Sequence, residues 1–355
     1  MRRLMRRLRA ERGASAVIFA VALIPLLGAG AIAVDVGALY AERAKLQNGA
    51  DAAAVAVAID CATTGCGTPS STATEYAAAN DANDGTAGVA AVGFSTIGGR
   101  EVVTVVSETR EADGTDAIRH PLAQFIGIDT TTVRASGSAE WSGISGGATW
   151  PFSVSACDFD PSMIGDGRHY TIRFDTTPTG PNANTCDRNG HIVPGGFGWL
   201  PTVGGECRAI SSISTGAEVQ HGNGTAPTEC RDEIESGELE GKTVYLPVHS
   251  AELSHGVYRV DYYVAFTITG WKFSGPPAHY DNPDPSALPA NPACGTTPGG
   301  GGGGSGGGGR DCRYLQGMFV DAASTDPGLE GGGPDQGASS VKLIITPAEL
   351  AGLTG

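Results

Sequence analysis

The chain opens on two contrasting patterns. Residues 1–13 (MRRLMRRLRAERG) carry six arginines and one glutamate, and residues 14–34 (ASAVIFAVALIPLLGAGAIAV) carry no charge. A helix rises about 1.5 Å per residue, so the apolar run is roughly 31 Å long, the thickness of a bilayer's hydrocarbon core. It is apolar all round, with no face for water. The pattern predicts a transmembrane helix over 14–34. Arginines stay on the cytoplasmic side, so 1–13 is a cytoplasmic basic tail and the bulk of the chain lies outside the cell membrane. A cleaved signal has a shorter apolar core, of about 7–15 residues, ending in a small-x-small site. Here the run passes without a break into VDVGALYAERAKLQNGADAAAVAVAI, so an uncleaved, single-pass anchor is expected.

Residues 35–60 predict an extracytoplasmic continuation of the same helix. Leu39, Leu46 and Ala53 recur at an interval of seven, and Ala50 and Val57 do likewise, while Glu42, Arg43, Lys45 and Asp51 fall largely elsewhere. This narrow apolar stripe faces either the chain's own domain or a second copy. Within the span, Pro25 removes a backbone hydrogen bond and predicts a kink. Gly28 and Gly30 permit close approach of another helix. Asp35 stands where the helix leaves the hydrocarbon, as a hydrated boundary marker or as a polar contact to a partner. Gly28, Gly30, Asp35, Leu39, Leu46 and Ala53 are the helix-packing candidates.

Beyond residue 60 the helical period gives way to short alternating runs and turn residues. Residues 61–145 read as a small α+β module. It has a helix after 71, capped by Ser71 or Thr72, strands at Val89–Ser95, Glu101–Thr109 and Thr130–Trp141, and a short helix at His120–Gly127. Residues 143–149 read as a linker. Residues 146–355 read as a mainly antiparallel β domain, with strands at Pro151–Cys157, Tyr170–Asp175, Thr243–Ser250, Tyr258–Trp271, Cys312–Val320 and Val341–Thr346. Tyr258–Trp271 is the strongest of these. The stretch 275–311 is Pro- and then Gly-rich, and its eleven-residue GGGGGGSGGGG run spans roughly 18 Å as a coil. It is expected as a loop inserted in one sheet, with the last two strands returning to the sheet of Tyr258–Trp271. The fold class is α+β.

Net charge is −15 over 355 residues; the first thirteen carry +5, so the remainder carries −20. An acidic exterior repels phosphate and excludes nucleic acid as a partner. Glycine, at 54 residues, is about twice its usual share and fits a turn-rich β architecture. Eight cysteines, Cys61, Cys66, Cys157, Cys186, Cys207, Cys230, Cys294 and Cys312, all follow the apolar run. An even number outside the membrane predicts disulfides, with sequential pairing as the default among 105 connectivities. Two close CxxC pairs, which zinc requires, are absent.

Other motifs read as structure. Gly143-Ile-Ser145-Gly-Gly147 matches G-x-S-x-G by letter, but GGATWP follows and cannot start the helix of a nucleophile elbow. His249, Glu252 and His255 lack HExxH spacing and fit a polar hairpin. Asp158, Asp160, Asp166 and Gly167 lack the full calcium-loop pattern and fit solvated turns. Asn223-Gly-Thr225 is a glycosylation sequon by letter. No residue set calls for catalysis, a metal or a cofactor, and the chain is expected not to be an enzyme.

The first sixty residues resemble the N-terminal region of TadE/TadG-like Flp (tight adherence) pilus-assembly proteins. The matching pieces are Glu11-Arg12-Gly13 before the anchor, Val34-Asp35-Val36-Gly37 at its end, Tyr40, Leu46-Gln47-Asn48 and Ala50-Asp51-Ala52-Ala53-Ala54. More loosely, Gly195–Leu200, Tyr258–Gly270 and the Cys312 strand are similar to exported regions of such proteins in Gram-positive actinobacteria. The resemblance implies a membrane-anchored envelope component of a Tad/Flp pilus or secretion system. Its partners would be other assembly proteins or further copies, reached through the N-terminal helix. Some relatives are cut by a prepilin peptidase after a glycine, with glutamate at the fifth mature position. Cleavage after Gly13 would put Ile18 there, so this chain departs from that pattern and is expected to keep its N-terminus. No DxSxS signature marks the von Willebrand-type metal domain that some members carry. The rival expectation is a surface adhesin or glycan-binding protein, with Trp199, Trp271 and nearby tyrosines as a sugar platform.

Overall fold

The computed structural model describes residues 2–80, 87–110, 118–119, 130–173, 185–188, 191–194, 196–220, 225–274, 279–282, 284, 286–287 and 313–345, with side chains from residue 16 onward except at 118–119, 185, 187–188, 191–194, 274 and 279–281. The architecture is α+β. One helix, α1, runs from Arg2 to Thr63 and continues through Pro25. Alanine-rich sequence favours that length. The helix stops where Gly65 and Gly67 take positive φ of 80° and 52°. A second helix, α2 (Pro69–Ala79), packs beside its end. It starts two residues before the expected cap. Pro69, with φ already fixed, sits in its first turn. Thr72 instead donates its hydroxyl to Asp60 Oδ2 at 2.9 Å and ties the two helices together.

Among the described residues fifteen strands build two main sheets; besides the short Ala217–Glu218 and His279–Asn282, thirteen carry the architecture. In chain order they are β1 (Ala87–Ile97), β2 (Arg100–Thr109), β3 (Arg134–Thr149), β4 (Phe152–Ser155), β5 (Tyr170–Arg173), β6 (Phe197–Trp199), β7 (Ala209–Ser212), β8 (Thr243–Ser254), β9 (Val257–Ser274), β10 (Tyr314–Val320), β11 (Ala322–Ser324), β12 (Leu329–Gly333) and β13 (Ala338–Ile344). The first sheet has the order β1-β2-β3-β13-β11, with β7 and β12 pairing the distal half of β3. The second has the order β6-β4-β8-β9-β10-β5. Nearly all pairings are antiparallel; β11–β13 and β4–β8 are parallel. The β1–β2 hairpin turns on Gly98 and Gly99, both at positive φ, as a tight turn between right-twisted strands requires.

Three sequence expectations change here. Residues 143–149, read as a linker, are the second half of β3 and pair with β7 and β12. Their glycines admit neighbouring backbones: a Cβ on Gly143 would stand 2.2 Å from the carbonyl oxygen of Pro334. So β3 crosses the expected division at 145/146. Residues 338–344, expected in the sheet of Tyr258–Trp271, pair with β3 instead (Val341 opposite Trp141), while β10 does join β9 as expected. Within the 275–311 stretch, His279–Asn282 pairs with the end of β9. His120–Gly127, Asn223, Cys294 and Cys312 lie outside the described residues.

Three apolar layers result. Ala53, Ala54, Val57 and Ala58 of α1, with Ala73 and Ala77 of α2, cover Val103, Val105, Ala139 and Val341 of the first sheet. Ile144, Ala209, Leu329 and Ala338 of that sheet meet Tyr258, Val260, Tyr263 and Ala265 of β9. On the other face of β9, Val264, Phe266 and Ile268 look into an aromatic core with Phe152, Phe197 and Trp199. That alternation is what the sequence of β9 predicts for a strand buried on both faces. Register shifts between Val260 and Tyr262 and between Ile268 and Gly270 switch the parity at either end, so that Phe273 also joins this core. Cys61–Cys66, Cys157–Cys186 and Cys207–Cys230 are bonded, as sequential pairing expects.

Candidate functional site: the helical stem

The features that distinguish this chain converge on α1. Its membrane-length part is bare: Val17, Ile18, Phe19, Ile24 and Leu26 are 65–74% exposed. A Cβ placed on Gly28, Gly30 or Gly37 would meet nothing within 4 Å, so these glycines pack against nothing among the described residues. Water does not tolerate such a surface, and a bilayer or an apolar partner does.

Above Val34 one side of the helix turns inward. At 100° per residue Asp35, Leu39, Leu46, Ala53 and Val57 share one face. Asp35 is 5% exposed and Leu46 is 2% exposed, between strongly exposed neighbours such as Val34 and Tyr40. Asp35 is therefore buried, unlike its exposed neighbours. Of the heptad stripe, Leu46 and Ala53 pack on the chain's own sheet.

Close contacts secure this seat. Gln47 Nε2 donates to the carbonyl oxygen of Ser136 at 2.8 Å and to Asp51 Oδ1 at 2.9 Å. A Cβ on Gly137 would lie 2.5 Å from the backbone nitrogen of Asp51, so only glycine lets β3 pass this close to α1. Gly49 is close to α2 to a lesser degree, with a Cβ there 3.2 Å from the carbonyl oxygen of Ala77. The Cys61–Cys66 bond and the Thr72–Asp60 hydrogen bond close the far end. The sequence marks Gln47 only as part of the family resemblance and does not single out Gly49 or Gly137. The available signal was glycine inside an otherwise alternating strand, which marks close approach of another backbone.

The other candidates fall into structural roles. Ser145 lies in mid-strand and donates its hydroxyl to the carbonyl oxygen of Gly331 at 3.0 Å. His249 is fully buried, with Nδ1 2.8 Å from Ser153 Oγ and its ring edge-on to Tyr258. Glu252 accepts from the backbone N–H of Gly256 at 3.0 Å, which makes His249–His255 the arm and tip of the β8–β9 hairpin. Asp160 accepts from Ser162 N at 2.9 Å, and Asp158 accepts from Gly196 N. Asp166 is held below the usual carboxylate range by the Tyr170 hydroxyl and the N–H of Arg168. These carboxylates serve turns, and among the described residues no group of three potential ligands could hold a metal. Trp199 and Trp271 are 1% and 3% exposed, so the expected sugar platform is core. Asp284 is a further anchored acid. Burial alone would raise it, but hydrogen bonds from Ser286, Thr269 and His169 outweigh that and hold it well below the usual range.

Comparison with known proteins places one family on this stem. Residues 13–60 match the Flp pilus-assembly TadE/G-like family. The matched segment holds the bare span, Asp35 and most of the seat, and stops short of Cys61 and both sheets. No curated protein and no solved structure matches the chain.

Proposed function

We propose that this chain is a single-pass envelope component of a Tad/Flp-type pilus assembly or secretion system, with its N-terminus in the cytoplasm and its two-sheet body outside. The observation that carries the reading is the coincidence of the family match with the stem. The matched residues supply an apolar helix of membrane length, and that helix continues into the core of the folded body. The arginines at 2, 3, 6, 7, 9 and 12 orient it by the positive-inside rule. The role is structural. Because α1 is one helix gripped by β3 and α2, any force or displacement at the body passes directly to the membrane segment. Other assembly proteins or further copies would be met through the exposed side of the stem and through the body's outer surface.

Deletion of the gene tests this. Loss of Flp-type pili or of Tad-dependent secretion, restored by the full chain and not by an Ile24→Arg form, supports it. A charge at mid-span costs about 2.5–3.5 kcal/mol on insertion scales. Unchanged pili and secretion on deletion would overturn it.

A further inference from the structure

A second feature lies far from the stem, where the two sheets meet. A cavity of about 180 Å³ opens between the end of β3, the start of β8 and the turn before β12. Its floor is buried and partly aromatic: Thr149 is 4% and Trp150 6% exposed, with Val244 and Leu329 beside them. Thr149 Oγ1 and Trp150 Nε1 have no hydrogen-bond partner among the described residues. Its rim is charged and half exposed. Arg208 pairs with Asp326 at 3.2 Å, and Lys242 pairs with Glu233 at 2.7 Å. Tyr245 adds a second aromatic wall.

We propose that this bowl binds one neutral pyranose ring. The volume lies below the roughly 300–1,000 Å³ of drug-sized pockets and admits a single ring rather than a chain segment. Two ion pairs make the rim electrically neutral, so it does not select an anion or a cation. It offers both donors and acceptors, fixed in pairs, which suit adjacent hydroxyls that donate and accept at once. The half-buried ring of Tyr245 suits the apolar C–H face of a sugar, while Trp150 belongs to the core beneath the floor. The Cys207–Cys230 bond lies at the cavity wall and holds the rim without ligand, which lowers the ordering cost of binding. That the ring belongs to an envelope glycan rests on the proposed location; binding of the ring itself does not.

The test uses the full chain in a zwitterionic detergent free of sugar, titrated with neutral monosaccharides and followed by saturation-transfer NMR and tryptophan emission. Saturable millimolar binding of at least one neutral pyranose is expected. Asp326→Asn should weaken it roughly tenfold, the loss of one charge-assisted hydrogen bond. Lys242→Gln should weaken it similarly, with melting temperatures close to that of the parent because both side chains lie on the rim. Failure of every monosaccharide to saturate, binding untouched by both variants, or saturation by phosphate or acetate alone would each overturn the proposal. None of these outcomes bears on pilus assembly, so the two readings stand or fall separately.

Discussion

Gln47 on α1 donates to the backbone carbonyl of Ser136 on β3 at 2.8 Å, one residue before the glycine that lets the helix approach. This pair makes the long apolar helix and the first sheet one mechanical piece. A flexible hinge at residue 35 would have left the stem free to swing. Instead, the helix that carries the bare apolar span ends in the core.

The close approach predicts a large effect from a small change. Gly137→Ala should force β3 away from α1, because the added carbon would stand 2.5–2.6 Å from backbone atoms of Asp51 and Ala50. Overpacking of this kind costs about 1–3 kcal/mol, or roughly 3–10 °C of melting temperature in a body of this size. Gly37→Ala, whose added carbon meets nothing, should melt with the parent. Thermal melts of the two variants side by side check this. Equal melting temperatures would mean the seat is looser than described.

Much of this was legible in the sequence for a physical reason. The stem announces itself as an unbroken apolar run of membrane length with arginines at one end. The strands β1, β2, β8, β9 and β10 were found because alternation survives wherever a strand has two distinct faces. Glycine-rich Gly143–Gly147 was misread because a strand crowded by other backbones carries no side-chain alternation; its glycines look like a linker. The pairing of β13 with β3 was not legible either, since VKLIIT fits either sheet by pattern and only the tertiary arrangement chooses. At the stem the apolar stripe was visible, but not the choice between the chain's own sheet and a second copy. That choice rests on Gly137, ninety residues downstream.

The contact between the sheets predicts alkaline behaviour. Tyr263 on β9 and Ser211 on β7 share a buried hydrogen bond of 2.8 Å. Burial pushes the Tyr263 phenol up to about 12. A group whose folded pKa is raised stabilises below its unfolded value, near 10, and loses that contribution as pH rises toward 12. The shift corresponds to about 3 kcal/mol. Tyr263→Phe should lose about 1 kcal/mol at neutral pH through the broken bond. It should decline less steeply than the parent between about pH 10 and 12. Denaturant midpoints against pH decide it, and parallel curves would contradict the assignment.

Asp284 predicts the opposite limb. Its carboxyl is held low, so its contribution is present above the ordinary carboxylate range and disappears as pH falls through and below that range. Asp284→Asn should be less stable than the parent at pH 7 by about 2 kcal/mol, since hydrogen bonds to a charged group are lost. The two proteins should converge as the medium becomes acid. A constant gap down to the lowest pH would show that the hydrogen bonds do not depend on charge.

The cysteine pattern predicts a specific map. Peptides from the unreduced protein should show Cys61–Cys66, Cys157–Cys186 and Cys207–Cys230 linked. Removing Cys207–Cys230 should cost about 3 kcal/mol by the chain-entropy estimate for a loop of 23 residues. A link between Cys157 and Cys207 would contradict the arrangement of β4, β6 and the aromatic core.

The most direct test of the central claim is protease treatment of intact cells, followed by alkaline washing of the membranes and detection with an antibody to the first thirteen residues. The account predicts a small N-terminal fragment, cut near where the helix leaves the bilayer or above, that stays with the washed membranes. Full-length chain untouched by protease, or chain released by the alkaline wash, would contradict an anchored stem bearing an external body.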